Sequence, residues 1–314
     1  MGVFASMIEA INGGIRGSGA IQAADVVSRL RSLDVADFDT RFIAPREGLV
    51  WAQPQPPVQF SQVAPQTIGA VSAPATRELA LLSADVYNDV ASPPAGYRVA
   101  TENDLGRLGL RPQDLTSSTS AFRARIYVKG ANESADYVVA FRGTTSSSDW
   151  QANLRQGVGL SSDHYTRALI IGRALARNPD ANVTITGHSL GGGLASAAAI
   201  AGGRNASTFN AAGLSDATIG AANRIRTAAG IGRAAEVQAF YVRGEVLSAI
   251  QDGGDRVIGA IFGGVRGAVV ANAPEAYGTR IPLTPVRPAG QPWYSDNPVA
   301  KHGIDWVLSS LGRR

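Results

Sequence analysis

Acyl transfer by a covalent route needs a serine nucleophile, a base to take its proton and a carboxylate to orient that base. Thr186-Gly187-His188-Ser189-Leu190-Gly191-Gly192-Gly193 contains the pattern G-x-S-x-G around Ser189. Set between a strand and a helix, this pattern holds a serine on a strained turn, and small residues two positions either side let the backbone close. The N–H of Leu190, opening the helix, faces the place where an oxyanion would develop. A phosphate-binding loop would need a lysine after its last glycine, and none is present. A glycine-rich turn that merely includes a serine is the plain alternative.

Three histidines could serve as the base. His188 lies inside the turn and cannot reach back to its neighbour's hydroxyl, and His164 begins a helix upstream, where a surface or capping role is the default. Elimination selects His302, in the loop Asp296–Gly303 before a final helix, Ile304–Leu311. The acid should then fall between Ser189 and His302, just past a strand. Glu245 follows the strand Val237–Val242 directly, while Asp252 and Asp255 are rivals in a Gly-rich loop. Strand ends are where parallel sheets hold functional groups, which favours Glu245. A surface carboxylate beside Arg243 is its plain reading. The apolar strand Tyr137–Phe141, running into Arg142-Gly143-Thr144, offers a second oxyanion donor at Thr144, with an ordinary turn at the strand's end as the plain alternative.

The positioning elements can be read from periodicity. Glu78–Val90 has apolar residues at helical spacing. Arg125–Val128 and Tyr137–Phe141 flank a polar turn and read as a hairpin. Tyr165–Ala176 is helical, Asn182–Thr186 is a β-branched strand, and Leu194–Ala201 is a helix of small residues. Further strands follow at Ala206–Phe209 and Val237–Val242. Such alternation predicts a largely parallel sheet with helices on both faces. Upstream, Ile21–Leu33 reads as a short amphipathic helix. The interval then holds Pro45, Pro54, Pro56, Pro57, Pro65 and Pro74 and carries no charge from Gly48 to Thr76. That composition predicts an extended linker or strap.

Composition narrows the classes. Hydrophobic residues make up 45% and charged residues 17%, enough apolar side chain for a large core and too much for a disordered chain. With no cysteine, thiol catalysis and disulfide staples are excluded. The formal charge of +4 is spread thinly, with no Lys/Arg run to suggest nucleic acid. The N-terminus has no basic and apolar leader pattern. It does match a myristoylation pattern at Gly2 and Ser6, which short motifs do by chance. The uncharged run Ala181–Gly203 reads as a buried strand and helix, so no transmembrane span is expected.

AFRGT (Ala140–Thr144), Asp149-Trp150, TGHSLGGGLA (Thr186–Ala195) and TFNAAGL (Thr208–Leu214) together resemble the class 3 lipases, closest to their bacterial phospholipase A1-like branch. LALLSADVYND (Leu79–Asp89) and the segment around Gly96-Tyr97 are similar to that group's opening helix and strand. The resemblance spans about residues 78–314. It implies an α/β-hydrolase fold, a mostly parallel central sheet flanked by helices. It also implies a triad of Ser189, Glu245 and His302, and an oxyanion site at Thr144 and Leu190. The resemblance implies as well a lid after AFRGT, here about Thr145–Ser161; Trp150 and Leu154 as fixed core residues beside an open site are the plain alternative. Trp150, Leu154 and Val158 are spaced by four, so a helix there would place them on one apolar stripe able to cover the site in water and enter lipid at a membrane. In these lipases the acid is usually Asp, and Glu245 stands in its place.

The expected organisation is a helical extension over 1–45, a Pro-rich linker or strap over 46–77, and a catalytic domain over 78–314. The expected function is hydrolysis of a lipid carboxylic ester, a phospholipid favoured, at a membrane surface, with no metal and no cofactor. A non-lipid esterase or an acyltransferase on the same triad is the nearest alternative. A membrane- or partner-binding protein with a vestigial site is the alternative from another class. The expected location is the cytoplasm or, through a dedicated secretion machine, outside it. An exported effector would bring an inhibitory partner protein.

Overall fold

In the computed structural model of the chain, residues 73–130, 135–144, 162–251 and 274–312 are described. They build a seven-stranded sheet whose strands lie in sequence order. β1 (Tyr97–Val99), β2 (Ala124–Lys129) and β3 (Asp136–Phe141) pair antiparallel, with Arg125 opposite Ala140 in the hairpin. From β3 onward, β4 (Asn182–His188), β5 (Asn205–Phe209), β6 (Val237–Val242) and β7 (Thr279–Leu283) pair parallel.

The strands form where the sequence puts apolar and β-branched runs, because a sheet covered on both faces buries both sets of alternating side chains. In β3, Tyr137, Val139 and Phe141 join one core cluster, while Val138 and Ala140 join the other. The first core is closed by α3 (Ser162–Ala176) and α4 (Leu190–Gly202), through Ile171, Leu175 and Leu194. The second is closed by α1 (Ala73–Asp85) and α8 (Ile304–Leu311), through Leu82, Trp306 and Val307. Both helix layers and the sheet make the α/β-hydrolase arrangement. The remaining helices are α2 (Glu102–Arg107), α5 (Asp216–Ala228), α6 (Val246–Gln251) and α7 (Pro298–Lys301).

Every residue of α4 is buried, which its run of Gly and Ala permits. A side chain at Gly172 would run into the Ala198 carbonyl and the Ala201 methyl, so α3 and α4 meet backbone to backbone. Gly203 ends α4 in the left-handed conformation at φ 58°, where glycine carries no Cβ penalty. Ser83 on α1 and Thr186 on β4 share a buried hydrogen bond of 2.8 Å, and Thr186 also donates to the Ser207 carbonyl, fastening the helix to the central strands.

Several elements differ from their sequence expectation. The first helix runs Ala73–Asp85 instead of continuing to Val90. The Asp85 carboxylate accepts the Ser92 N–H, and Arg125 takes the main-chain carbonyls of Asp85 and Asn88, so the chain turns there. The helix starts inside the interval read as a linker, with Pro74 in its first turn, where a missing N–H costs nothing. Strand β7 and helix α5 come in addition to the elements read from sequence. β7 lies at the sheet edge, where its proline is tolerated. The regions 1–45 and most of 46–77 lie outside the described residues, as do the turn residues 131–134.

Candidate active site

The parallel strands end on one side of the sheet, and the singled-out side chains gather there. Ser189 occupies the turn between β4 and α4 with φ 61° and ψ −127°, a conformation that L-residues rarely adopt. Neighbouring backbone over-determines it. The Ser189 N–H donates to the Phe209 carbonyl at 3.0 Å, and its own carbonyl accepts from Gly192 and Ala212. A Cβ at Gly187 would collide with the main chain of Gly191, and one at Gly191 with the Phe141 carbonyl. Both glycines are therefore steric requirements of the turn.

His302 lies between α7 and α8. Its Nε2 is 2.9 Å from Ser189 Oγ, and its Nδ1 is 2.8 Å from Glu245 Oε2. Glu245 follows β6 and opens α6, whose free N–H groups it caps. Oε2 accepts the Leu247 N–H at 2.9 Å, and Oε1 accepts the Ser248 N–H and hydroxyl at 2.5 Å each. The longer glutamate side chain allows one carboxylate to fold back on its own helix and still face the imidazole. Burial by itself would raise the Glu245 carboxyl, yet the hydrogen bond and charge of His302, with Ser248 and Leu247, hold it below the ordinary value. Glu245 is fully buried, and Ser189 and His302 are 4% and 6% exposed.

Leu190 is the first residue of α4, in the turn whose N–H groups have no partner within the helix. Gly143, beside Thr144, packs against the Ser189 turn: a Cβ there would meet the His188 carbonyl at 2.7 Å. Gly143, just past β3, thus packs on the turn from which Leu190 opens α4. Trp150, Leu154 and Val158 lie outside the described residues, as do Asp252 and Asp255. His164 packs edge-on against Phe122 at 5.9 Å between ring centroids, on the α3 side of the sheet.

Four further residues converge here, three of them not read from sequence and the fourth, His188, set aside there. Ser248 has been described. Asn210, with φ 43°, donates to the carbonyls of Lys301 and His302 and accepts the Val242 N–H, tying β6 to the His302 loop. Tyr87 accepts the Gly143 N–H at 3.0 Å. His188, set aside because it cannot reach Ser189, instead contacts the His302 carbonyl through Nε2 at 2.7 Å. An asparagine just past a strand and a tyrosine just past the opening helix were visible in the quoted motifs, but their targets are backbone atoms far along the chain.

Complete burial, reinforced by the charge of nearby His302, pushes the His188 pKa from 6.5 down to about 3, against raising effects from its hydrogen bond to the His302 backbone and from Glu245. Below pH 6.5 the unfolded chain binds a proton that folded His188 refuses, so its contribution to stability is full above 6.5 and drains away toward about 3. The lowered Glu245 carboxyl acts in the same direction, losing its contribution as pH falls through its folded value, below 4.5. Denaturant midpoints should therefore fall as pH drops below 6.5, and His188→Gln should flatten the upper part of that fall. Parallel slopes in the two proteins would contradict this assignment.

The family model described as a Tle-like phospholipase domain matches residues 78–289. An extracellular phospholipase A1 of Serratia liquefaciens is 33% identical over 243 residues, covering 75% of this chain and 70% of that protein. Among solved structures, a triacylglycerol lipase from Penicillium expansum is similar with a TM-score of 0.39 and 16% identity, over 77% of this chain and 97% of that one. A fungal lipase–inhibitor complex gives a TM-score of 0.34 at 16% identity, over 54% of this chain and 70% of that one.

Proposed function

Because the chain belongs to the Tle-like phospholipase family, we propose that it cleaves a carboxylic ester of a phospholipid through an acyl-enzyme on Ser189. It is a carboxylic ester hydrolase of the lipase and phospholipase kind. The observation that carries the mechanism is the unbroken line from Ser189 Oγ through the His302 ring to Glu245, at 2.9 and 2.8 Å.

Ser189 Oγ attacks the ester carbonyl while its proton passes to His302 Nε2. The carbonyl oxygen becomes an oxyanion facing the N–H groups of Leu190 and Thr144. Glu245 stays ionised and holds the resulting imidazolium. Collapse breaks the bond to the leaving alkoxide, which takes the proton from His302 and departs as a lysophospholipid. Water then gives its proton to His302 and attacks the acyl-enzyme, releasing the fatty acid and restoring Ser189.

Cleavage at the first glycerol position is part of this proposal, following the name of the Serratia relative. So are action outside the producing cell by a dedicated export route and an inhibitory partner protein, which rest on the extracellular relative and the resemblance alone. Among the described residues, no helix is long and apolar enough to cross a membrane.

Vesicles of a phospholipid with different acyl chains at its two positions provide the test, with products identified by mass. The expected result is the first-position fatty acid with its lysophospholipid, absent with Ser189→Ala. Appearance of the acyl chain on an added alcohol in place of water would make the protein an acyltransferase. Release unaffected by Ser189→Ala would remove the serine mechanism.

A further inference from the structure

Two side chains converge on one main-chain oxygen beside the site. The His302 carbonyl faces His188 Nε2 at 2.7 Å and Asn210 Nδ2 at 3.0 Å. A carbonyl only accepts, so the single proton of neutral His188 sits on Nε2 and Nδ1 is a bare acceptor. Nδ1 lies 3.2 Å from the Tyr87 hydroxyl, whose oxygen accepts the Gly143 N–H at 3.0 Å. The one hydroxyl proton of Tyr87 therefore has Nδ1 as its nearer acceptor, the His188 carbonyl standing 3.4 Å away. A continuous line results, from Gly143 N–H through Tyr87 and the His188 ring to the His302 carbonyl.

The ends of this line are informative. Gly143 precedes Thr144 on the oxyanion side, and His302 is the residue whose ring meets Ser189. His302 is the C-cap residue of α7, its N–H donating to the Val299 carbonyl at 3.2 Å, and with only four residues α7 is too short to hold itself, so the carbonyls at its end, that of His302 among them, depend on outside donors. A satisfied core histidine would need partners of any kind. Here each ring nitrogen is directed, by way of Tyr87 on one side, to the backbone of a loop that carries the site.

We propose that His188 and Tyr87 are positioning residues that lock the base loop and the oxyanion loop at a fixed separation across Ser189. This rests on the serine-hydrolase reading above. His188 acts through its Nε2-protonated form and takes no proton from substrate. Asn210 fixes the same carbonyl from the β6 side, so the line sets the direction in which His302 faces Ser189.

The test uses the full chain, p-nitrophenyl butyrate as a soluble ester, and NMR of nitrogen-labelled histidine. His188→Leu removes the donor, Tyr87→Phe removes the relay, and His188→Gln keeps an N–H near the place of Nε2. Losing this restraint should lower kcat about 10- to 100-fold in the first two variants, with KM within about two-fold, because misplacement of the base acts on the chemical step. The Gln variant should recover much of the loss. The double variant should be no worse than the poorer single, since both cut one line. In wild type, His188 should show a protonated Nε2 and a bare Nδ1, and the His302 Nδ1 proton should be sharp but broadened in His188→Leu. Wild-type kcat in a folded His188→Leu, a proton on His188 Nδ1, or additive losses in the double variant would each overturn the proposal. Should His188→Leu not fold, Tyr87→Phe and the wild-type tautomer decide it. A wild-type protein inert toward esters yet showing the Nε2 tautomer would overturn the hydrolase reading and leave the line in evidence.

Discussion

Ser189→Ala is expected to lower ester hydrolysis by about 10⁴-fold or more while leaving the fold intact. In the proposed mechanism the hydroxyl forms the acyl-enzyme, and without it only oxyanion stabilisation and binding remain. The structural cost should be small, because the Ser189 side chain makes no cap bond to α4 and its backbone is held by Phe209, Gly192 and Ala212. Alanine must still adopt a φ near 61°, a strain the wild-type residue already bears. The measurement is turnover of a simple ester alongside thermal unfolding. Near-wild-type turnover in a cleanly folded variant would sink the serine mechanism.

Glu245→Gln is expected to cost about 10³- to 10⁴-fold in kcat, with a smaller loss of stability. The carboxylate accepts from three sides: His302, Leu247 and Ser248. A carboxamide offers one accepting oxygen and one donating nitrogen. Whichever way it turns, its NH₂ faces an N–H: those of His302 Nδ1 and Leu247 in the place of Oε2, or that of Ser248 in the place of Oε1. The first case favours the wrong imidazole tautomer and leaves the Leu247 N–H unpaired, and the second leaves the Ser248 N–H unpaired, at about 1–3 kcal/mol for each buried N–H. Asp252→Asn and Asp255→Asn should leave turnover near the wild-type level. A damaging Asp252→Asn with an active Glu245→Gln would show that another carboxylate orients His302.

Glu245→Gln and Ser189→Ala differ in what they should do to pH behaviour. Glu245 carries part of the acid sensitivity of the fold, since its carboxyl is held below 4.5 in the native state. Removing that charge should flatten the stability curve at its most acidic end, and Ser189→Ala should leave the curve unchanged. Unfolding midpoints across the acidic range separate the two.

Local pattern was enough for the elements that are apolar and periodic. β6 and α8 run over Val237–Val242 and Ile304–Leu311, the same bounds that their hydropathy indicates, because each buries a face against the sheet. Ser189 was legible because the turn places steric demands on its immediate neighbours, and those demands appear as Gly187 and Gly191 at fixed spacing. His302 could be isolated because the chain has only three histidines. Glu245 was one of three acids that the sequence left in competition.

The sheet decided the rest. Glu245 was preferred for standing at the end of β6, but only the parallel pairing of β4, β5 and β6 brings that end beside Ser189. Helix ends were missed where side chains from distant positions intervene, as Arg125 does at the end of α1. His188 shows the limit most clearly: sequence reasoning asked whether it could reach its neighbour's hydroxyl. Its actual partner is a backbone oxygen 114 residues away. Short-range sterics and periodicity write themselves into residue types, so the Ser189 turn and the core strands are local information. Hydrogen bonds from a side chain to a remote main chain leave no such mark, since every residue carries the same carbonyl. The line through Gly143, Tyr87, His188 and His302 therefore exists only once the tertiary structure has brought α1, β3, β4 and the loop before α8 together.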